Sequence, residues 1–131
     1  MPTDGPTILV VDDERHVLTV AAEMLRRAGS GVLSAISARE ALTLCRAFTE
    51  PIHLALLDVV MPDMNGLELS ECLQAEFPGI RVVYMSEYSC PEMARLGITG
   101  VPADFLQKPF TSSKLVGKVN AALRKSGLAS A

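Results

Sequence analysis

The sequence predicts a doubly wound α/β domain, five parallel strands with helices on both faces. Three observations carry that reading. Short aliphatic runs alternate along the chain with segments of helical period, and the turns between them are short enough for direct crossovers. The runs at 7–11 and 53–58 also lack polar alternation, which suits strands covered on both faces.

Thr7 to Val11 is the first strand, and it stops on Asp12-Asp13-Glu14. Behind it Val17, Val20, Ala21, Met24, Leu25 and Ala28 recur at helical spacing until Gly29, a helix of about 14 residues with one apolar stripe. Val32 to Ile36 is a short second strand. Ser37-Ala38-Arg39-Glu40 has the form of a capping box, with Ser37 accepting from the amide three residues on and Glu40 reaching back. It opens a helix to Phe48 whose face is Ala38, Ala41, Leu42, Cys45 and Phe48, and Pro51 closes it.

His53 to Asp58 is the third strand, and Pro62 with Asn65-Gly66 keeps it from continuing. Leu69, Cys72, Leu73 and Phe77 mark a third helix, ended by Pro78-Gly79. Arg81 to Met85 is the fourth strand and finishes on Ser86. Signals weaken from Glu87 to Ala103. There Pro91 opens a helix over 92–96 that Gly97, Gly100 and Pro102 hold to a turn or two. Asp104 to Gln107 is a short fifth strand ending on Lys108-Pro109. Thr111-Ser112 then caps a last helix with Leu115, Val116, Val119, Ala122 and Leu123 on its face, and Arg124 and Lys125 complement its C-terminal dipole.

Right-handed crossovers arrange such a chain in the flavodoxin-like order 2-1-3-4-5. Strands one and three are then neighbours at the topological switch point, so Asp12, Asp13 and Asp58 meet beyond their ends. One domain is expected over residues 7–125, with a flexible lead-in at 1–6 and a tail or linker start at 126–131.

The 131 residues are 49% hydrophobic, enough for one core. With 12 Lys+Arg dispersed among 15 Asp+Glu and a net charge of −3, there is no basic footprint for nucleic acid. Cys45, Cys72 and Cys90 are far apart and read as reduced thiols of a cytoplasmic protein. No window approaches the roughly 20 apolar residues of a membrane span, so no membrane contact is expected. His16 and His53 lack partners at metal-ligand spacing and read as surface or strand-edge residues.

Three carboxylates so close raise one another's pKa unless positive charge offsets them. A hard divalent cation is one source, and Mg²⁺ suits Asp13, Asp58 and a main-chain carbonyl just beyond Asp58. Lys108 is the second. A carboxylate facing a metal, with an ammonium and the Ser86 hydroxyl converging on it, is arranged for in-line phosphoryl transfer with Asp58 as nucleophile.

Taken together, Val-Val-Asp12-Asp13-Glu14, Leu-Leu-Asp58-Val-Val-Met-Pro62-Asp-Met-Asn-Gly66, Tyr-Met-Ser86 and Phe105-Leu-Gln-Lys108-Pro109-Phe110 resemble a receiver domain of bacterial two-component response regulators, over roughly residues 7–124. The phrasing of two of these segments is most similar to receivers at the C-terminus of hybrid sensor histidine kinases. The resemblance implies that Asp58 accepts a phosphoryl group from a phosphohistidine on a sensor histidine kinase or histidine phosphotransfer domain. It implies an Mg²⁺ site completed by the Val60 carbonyl together with the three aspartates, a cis Lys108-Pro109 peptide, and Phe105 as a switch aromatic coupled to Ser86. It also implies state-dependent contacts, self-association included, through helix four, strand five and helix five. Such a chain catalyses its own phosphorylation and dephosphorylation without being a turnover enzyme.

Two positions depart from the family's pattern. Glu87 stands where a small residue is common, and a negative charge at the mouth disfavours a phosphoanion unless the side chain turns to solvent. Tyr88, with Val60 opposite, shields an acyl phosphate from water and predicts slow self-dephosphorylation. The competing readings are a phosphorylation-independent interaction module, suggested by Glu87, and a small flavodoxin-like enzyme or haloacid-dehalogenase-like phosphatase. The second lacks a Gly-x-x-x-x-Gly-Lys loop and an acid two residues after Asp58.

Overall fold

The two most apolar runs of the chain become two of its three inner strands, β1 (Thr7–Val11) and β3 (Leu54–Asp58), and β3 is buried at every residue. In a computed structural model, which describes residues 5–125, these pair with β2 (Gly31–Ala35), β4 (Arg81–Ser86) and β5 (Leu106–Gln107) in one parallel sheet of order β2-β1-β3-β4-β5. The helices are α1 (Arg15–Arg27), α2 (Ala38–Ala47), α3 (Gly66–Glu76), α4 (Cys90–Arg95) and α5 (Ser112–Lys125). Residues 1–4 and the whole expected tail, 126–131, lie outside the described residues. Pairing begins before β1, because the Pro6 carbonyl accepts from the Gly31 N–H at 2.9 Å.

Strand side chains alternate between two cores. Ile8, Val10, Leu54, Leu56, Val83 and Met85 pack under α1 and α5, while Leu9, Val11, Ala55 and Leu57 pack under α2 and α3. Each fully buried Leu, Ile, Val or Met stabilises the fold by about 1.5–3 kcal/mol relative to exposure, so a strand with both faces covered contributes twice over. Among the described residues no helix is long and apolar enough to cross a membrane.

The expected boundaries shift at several points. β2 begins and ends one residue earlier than the sequence suggests, because the Asp12 N–H takes the Ala35 carbonyl. Ser37 caps α2 by accepting from the Glu40 N–H, but Glu40 reaches past the cap to the Ile36 N–H at 3.0 Å, so the capping box is not reciprocal. His53 stands just outside β3, where its Nδ1 accepts from the Thr7 N–H at 3.0 Å. In α3 the buried stripe is Gly66, Leu69, Ser70 and Leu73, and Cys72, about 100° round from Leu73, is only half-buried. The fifth strand contracts from 104–107 to Leu106–Gln107, since the Phe105 N–H bonds back to the Pro102 carbonyl and is lost to the ladder. Two caps were not foreseen as such. Asn65 and Ser89 each form a reciprocal capping box, with Glu68 and Glu92, and these fix the starts of α3 and α4.

Candidate functional site

Val11 and Leu57 are register partners across β1 and β3, so the next residue of each strand, Asp12 and Asp58, emerges side by side at the C-terminal edge. Both are buried. Ser86 ends β4, and the Lys108 N–H donates to its carbonyl at 2.9 Å, which carries the lysine side chain back over the edge. The Lys108-Pro109 peptide is cis, as the resemblance implies.

The Lys108 ammonium is shared unequally. Nζ lies 2.6 Å from Asp12 Oδ2, 3.3 Å from Asp58 Oδ1 and 3.9 Å from Glu14 Oε1. The other Asp12 oxygen accepts from the Glu14 N–H at 2.8 Å, so both of its oxygens are engaged. Asp58 keeps more of its acceptor capacity and faces the open cleft. Burial pushes its carboxyl up to about 8, the neighbouring Asp12 charge and a hydrogen bond with Asp13 add to the rise, and Lys108 pulls the other way. For Lys108, burial opposes the charged form, but the bond to Asp12 and the charges of Asp58 and Asp12 outweigh it and raise the ammonium pKa.

Carboxylate oxygens of Asp12, Asp13 and Asp58 lie within 4.8 Å of one another. The donors are all oxygen, with no histidine or thiol among them, and such a set fits a hard divalent cation. Asp13 is exposed and the other two are buried, so a cation would be held between the interior and the mouth.

The cleft over Asp58 encloses about 360 Å³ and is walled by Asp13, Glu14, Val60, Met61, Glu87 and Tyr88, with Asp58 at its floor. Its β3–α3 side is fixed by three contacts. The Gly66 N–H donates to the Val59 carbonyl at 2.8 Å, Asp63 accepts from the Arg39 N–H at 3.2 Å, and Asn65 caps α3. On the opposite side Ser86 is buried, its Oγ accepts from the Tyr88 N–H at 3.0 Å, and Gln107 Nε2 donates to the Glu87 carbonyl. Glu87 has its side chain at the exposed rim.

Most of the residues singled out in the sequence therefore converge on one cleft. Phe105 does not. It is half-buried in the wall of a separate groove of about 1060 Å³, which also touches Ser70 and Gln74 of α3, Tyr84 of β4 and Lys114 of α5. Two residues of the site carried no assigned role in the sequence. Glu14 is the third acid beside Lys108, and its place directly after Asp12-Asp13 was the available signal. Gly66 read as a turn residue, yet a Cβ there would stand 2.6 Å from the Asp58 carbonyl oxygen, a proximity no local pattern reveals.

A family model of the response regulator receiver domain matches residues 8–120. The chain is 31% identical over 122 residues to a probable transcriptional regulatory protein, TcrX, of Mycobacterium tuberculosis, covering 93% of this chain and 51% of that protein. It is 34% identical over 126 residues to the alkaline phosphatase synthesis transcriptional regulatory protein PhoP of Bacillus subtilis, covering 93% and 50%. The chain thus spans about half the length of the curated relatives it matches. Among solved structures, a CheY-like receiver domain protein from Methanospirillum hungatei superposes with a TM-score of 0.77 at 27% identity, covering 93% of this chain and 96% of that one. The receiver domain of the hybrid histidine kinase CckA superposes with a TM-score of 0.72 at 32% identity, covering 89% and 98%.

Proposed function

The chain belongs to the response regulator receiver domain family, and from that premise we propose that Asp58 is its phosphoacceptor, served by Lys108, Ser86 and an Mg²⁺ ion. The observation that carries this is the position of Asp58, a buried carboxylate at the floor of a cleft, 3.3 Å from a buried ammonium.

An oxygen of Asp58 forms a bond to phosphorus as the phosphorus–nitrogen bond of a phosphohistidine breaks, and the imidazole nitrogen leaves with the bonding pair. Lys108, anchored on Asp12, faces the incoming phosphoryl oxygens and neutralises part of their charge. The Ser86 hydroxyl stands ready to donate to the group once attached. Asp12, Asp13, Asp58 and the Val60 carbonyl would hold Mg²⁺, which when bound supplies the remaining positive charge for the phosphoryl oxygens. Tyr88 and Val60 wall the cleft and limit water access to the acyl phosphate.

The donor is a sensor histidine kinase or a histidine phosphotransfer domain. A phosphoryl group adds about −1.5 to −2 charge. Ser86 moves toward it, Phe105 turns inward, and the surface of α4, β5 and α5 presents the change to a partner or a second copy. The 131 residues would act in the cytoplasm, as a switch that catalyses its own modification.

Intact mass after incubation with Mg²⁺ and acetyl phosphate is the test. A single phosphoryl adduct on the wild type, absent from Asp58→Ala and from a chelator control, is the expected result. A folded wild type that binds Mg²⁺ and takes no adduct would favour the phosphorylation-independent module instead.

A further inference from the structure

Resting on the assignment of Asp58 as phosphoacceptor, we infer that Glu87 makes donor charge a determinant of specificity. It disfavours small dianionic acyl phosphates and favours donors that carry positive charge beside the phosphoryl group.

The charges inside the site cancel. Asp12, Asp13 and Asp58 bring three negative charges, and Lys108 with one divalent cation brings three positive ones. What remains at the mouth is Glu14 and Glu87. Glu14 lies 3.9 Å from Lys108 and is partly offset by it. Glu87 has no ion pair among the described residues.

The main chain fixes the position of the residue that carries that charge. Gln107 holds the Glu87 carbonyl, and the buried Ser86 before it is tied to Lys108 N–H and Tyr88 N–H. Glu87 therefore belongs to two cavities at once. It walls the Asp58 cleft and also a neighbouring groove of about 290 Å³ floored by Val17, Val20, Pro109 and Phe110. Asp58 opens to the first of these, so a donor entering that cleft passes the uncompensated carboxylate and its own charge enters the barrier directly.

Acetyl phosphate and phosphoramidate separate charge from chemistry. In both reactions an Asp58 oxygen forms the new P–O bond as the donor's P–O or P–N bond breaks, and acetate or ammonia leaves with the bonding pair. At neutral pH phosphoramidate carries a positive nitrogen and one net negative charge fewer. Adduct formation by wild type, Glu87→Gln and the distant exposed control Glu71→Gln is followed by intact mass with Mg²⁺, at low salt and at about 0.5 M salt, where screening is nearly complete beyond a few ångströms. Charges several ångströms apart in water change a rate about threefold per unit. Glu87→Gln should thus react about 5–10-fold faster than wild type with acetyl phosphate and about threefold faster with phosphoramidate, and the difference should vanish at high salt. Glu71→Gln should match wild type. Equal rates for wild type and Glu87→Gln at low salt, or an acceleration that persists undiminished at high salt, would overturn the inference alone. A wild type that binds Mg²⁺ but forms no adduct with either donor would overturn the acceptor assignment and this inference with it.

Discussion

Lys108 Nζ donates to Asp12 Oδ2 at 2.6 Å, a contact between the residues that follow the last strand and the first, 96 positions apart in sequence. The pair is almost wholly buried, with side-chain exposures of 7% and 0%. Removing one partner of a buried ion pair leaves the other uncompensated, at a cost of about 3–5 kcal/mol. Lys108→Ala should lose stability on that scale in chemical denaturation without metal. Added Mg²⁺ should recover much of it by replacing the missing positive charge. A variant as stable as wild type in chelator would show that the pair is not needed to hold the acids together.

The raised Asp58 carboxyl makes the metal-free fold sensitive to pH. Its folded value is about 8 against an ordinary 3.8, so between those limits the folded state binds more protons than the unfolded one. Stability in chelator should therefore fall as pH rises from 4 toward 8, with a slope from this group of at most about 1.4 kcal/mol per pH unit. Lys108 titrates above this window and does not reverse the sign. Denaturation of wild type and Asp58→Asn at pH 5, 6, 7 and 8 checks it. The gap between the two should widen in favour of Asp58→Asn as pH increases.

Gly66 is packed too closely against the site for any side chain. A Cβ would meet the Asp58 carbonyl oxygen at 2.6 Å, and neither atom can yield without moving the backbone that carries Asp58. Gly66→Ala should cost about 1–3 kcal/mol of stability. It should also weaken Mg²⁺ binding, measured by calorimetry, whereas a substitution at the exposed Glu71 on the same helix should not. Unchanged affinity in Gly66→Ala would mean the β3–α3 turn relaxes away from the site.

Phe105 lines a groove apart from the Asp58 cleft while Ser86 is fully buried, so their coupling is a claim about motion. The chain has no tryptophan, and Phe105→Trp introduces a single tryptophan, excited selectively over the tyrosines, into the wall of the groove beside α5. Mg²⁺ with beryllofluoride, a tetrahedral stand-in for a phosphoryl group, should change its emission. Ser86→Ala in the same background should remove most of that change. Emission that ignores stoichiometric beryllofluoride would disconnect Phe105 from the switch.

Much of this was legible in the chain itself. The unbroken apolar runs ending at Asp12 and Asp58 fix two buried strands and what they carry, because a strand with two covered faces has one chemical pattern available to it. Helix spacing gave α2 and α5 their buried faces, whereas α1 turns toward Leu18 and Ala22 with Ala28 left exposed, and α3 turns toward Ser70. Local reading failed where a short backbone contact or the packing side of a helix decided the outcome. β5 shrank to two residues because Phe105 bonds to Pro102, and Cys72 turned half out once Gly66, Leu69, Ser70 and Leu73 took the sheet side of α3.

The sequence by itself determined that acids, a hydroxyl and a lysine would end neighbouring strands, since each of those strands announces its own terminus. Only the tertiary structure decided how they share charge. Lys108 lies nearer Asp12 than Asp58, Asp58 is left with a raised carboxyl facing an open cleft, and Glu87 stands at its rim with no ion pair among the described residues. Those outcomes depend on distances of a few ångströms and on burial, and both are set by how five strands pack together.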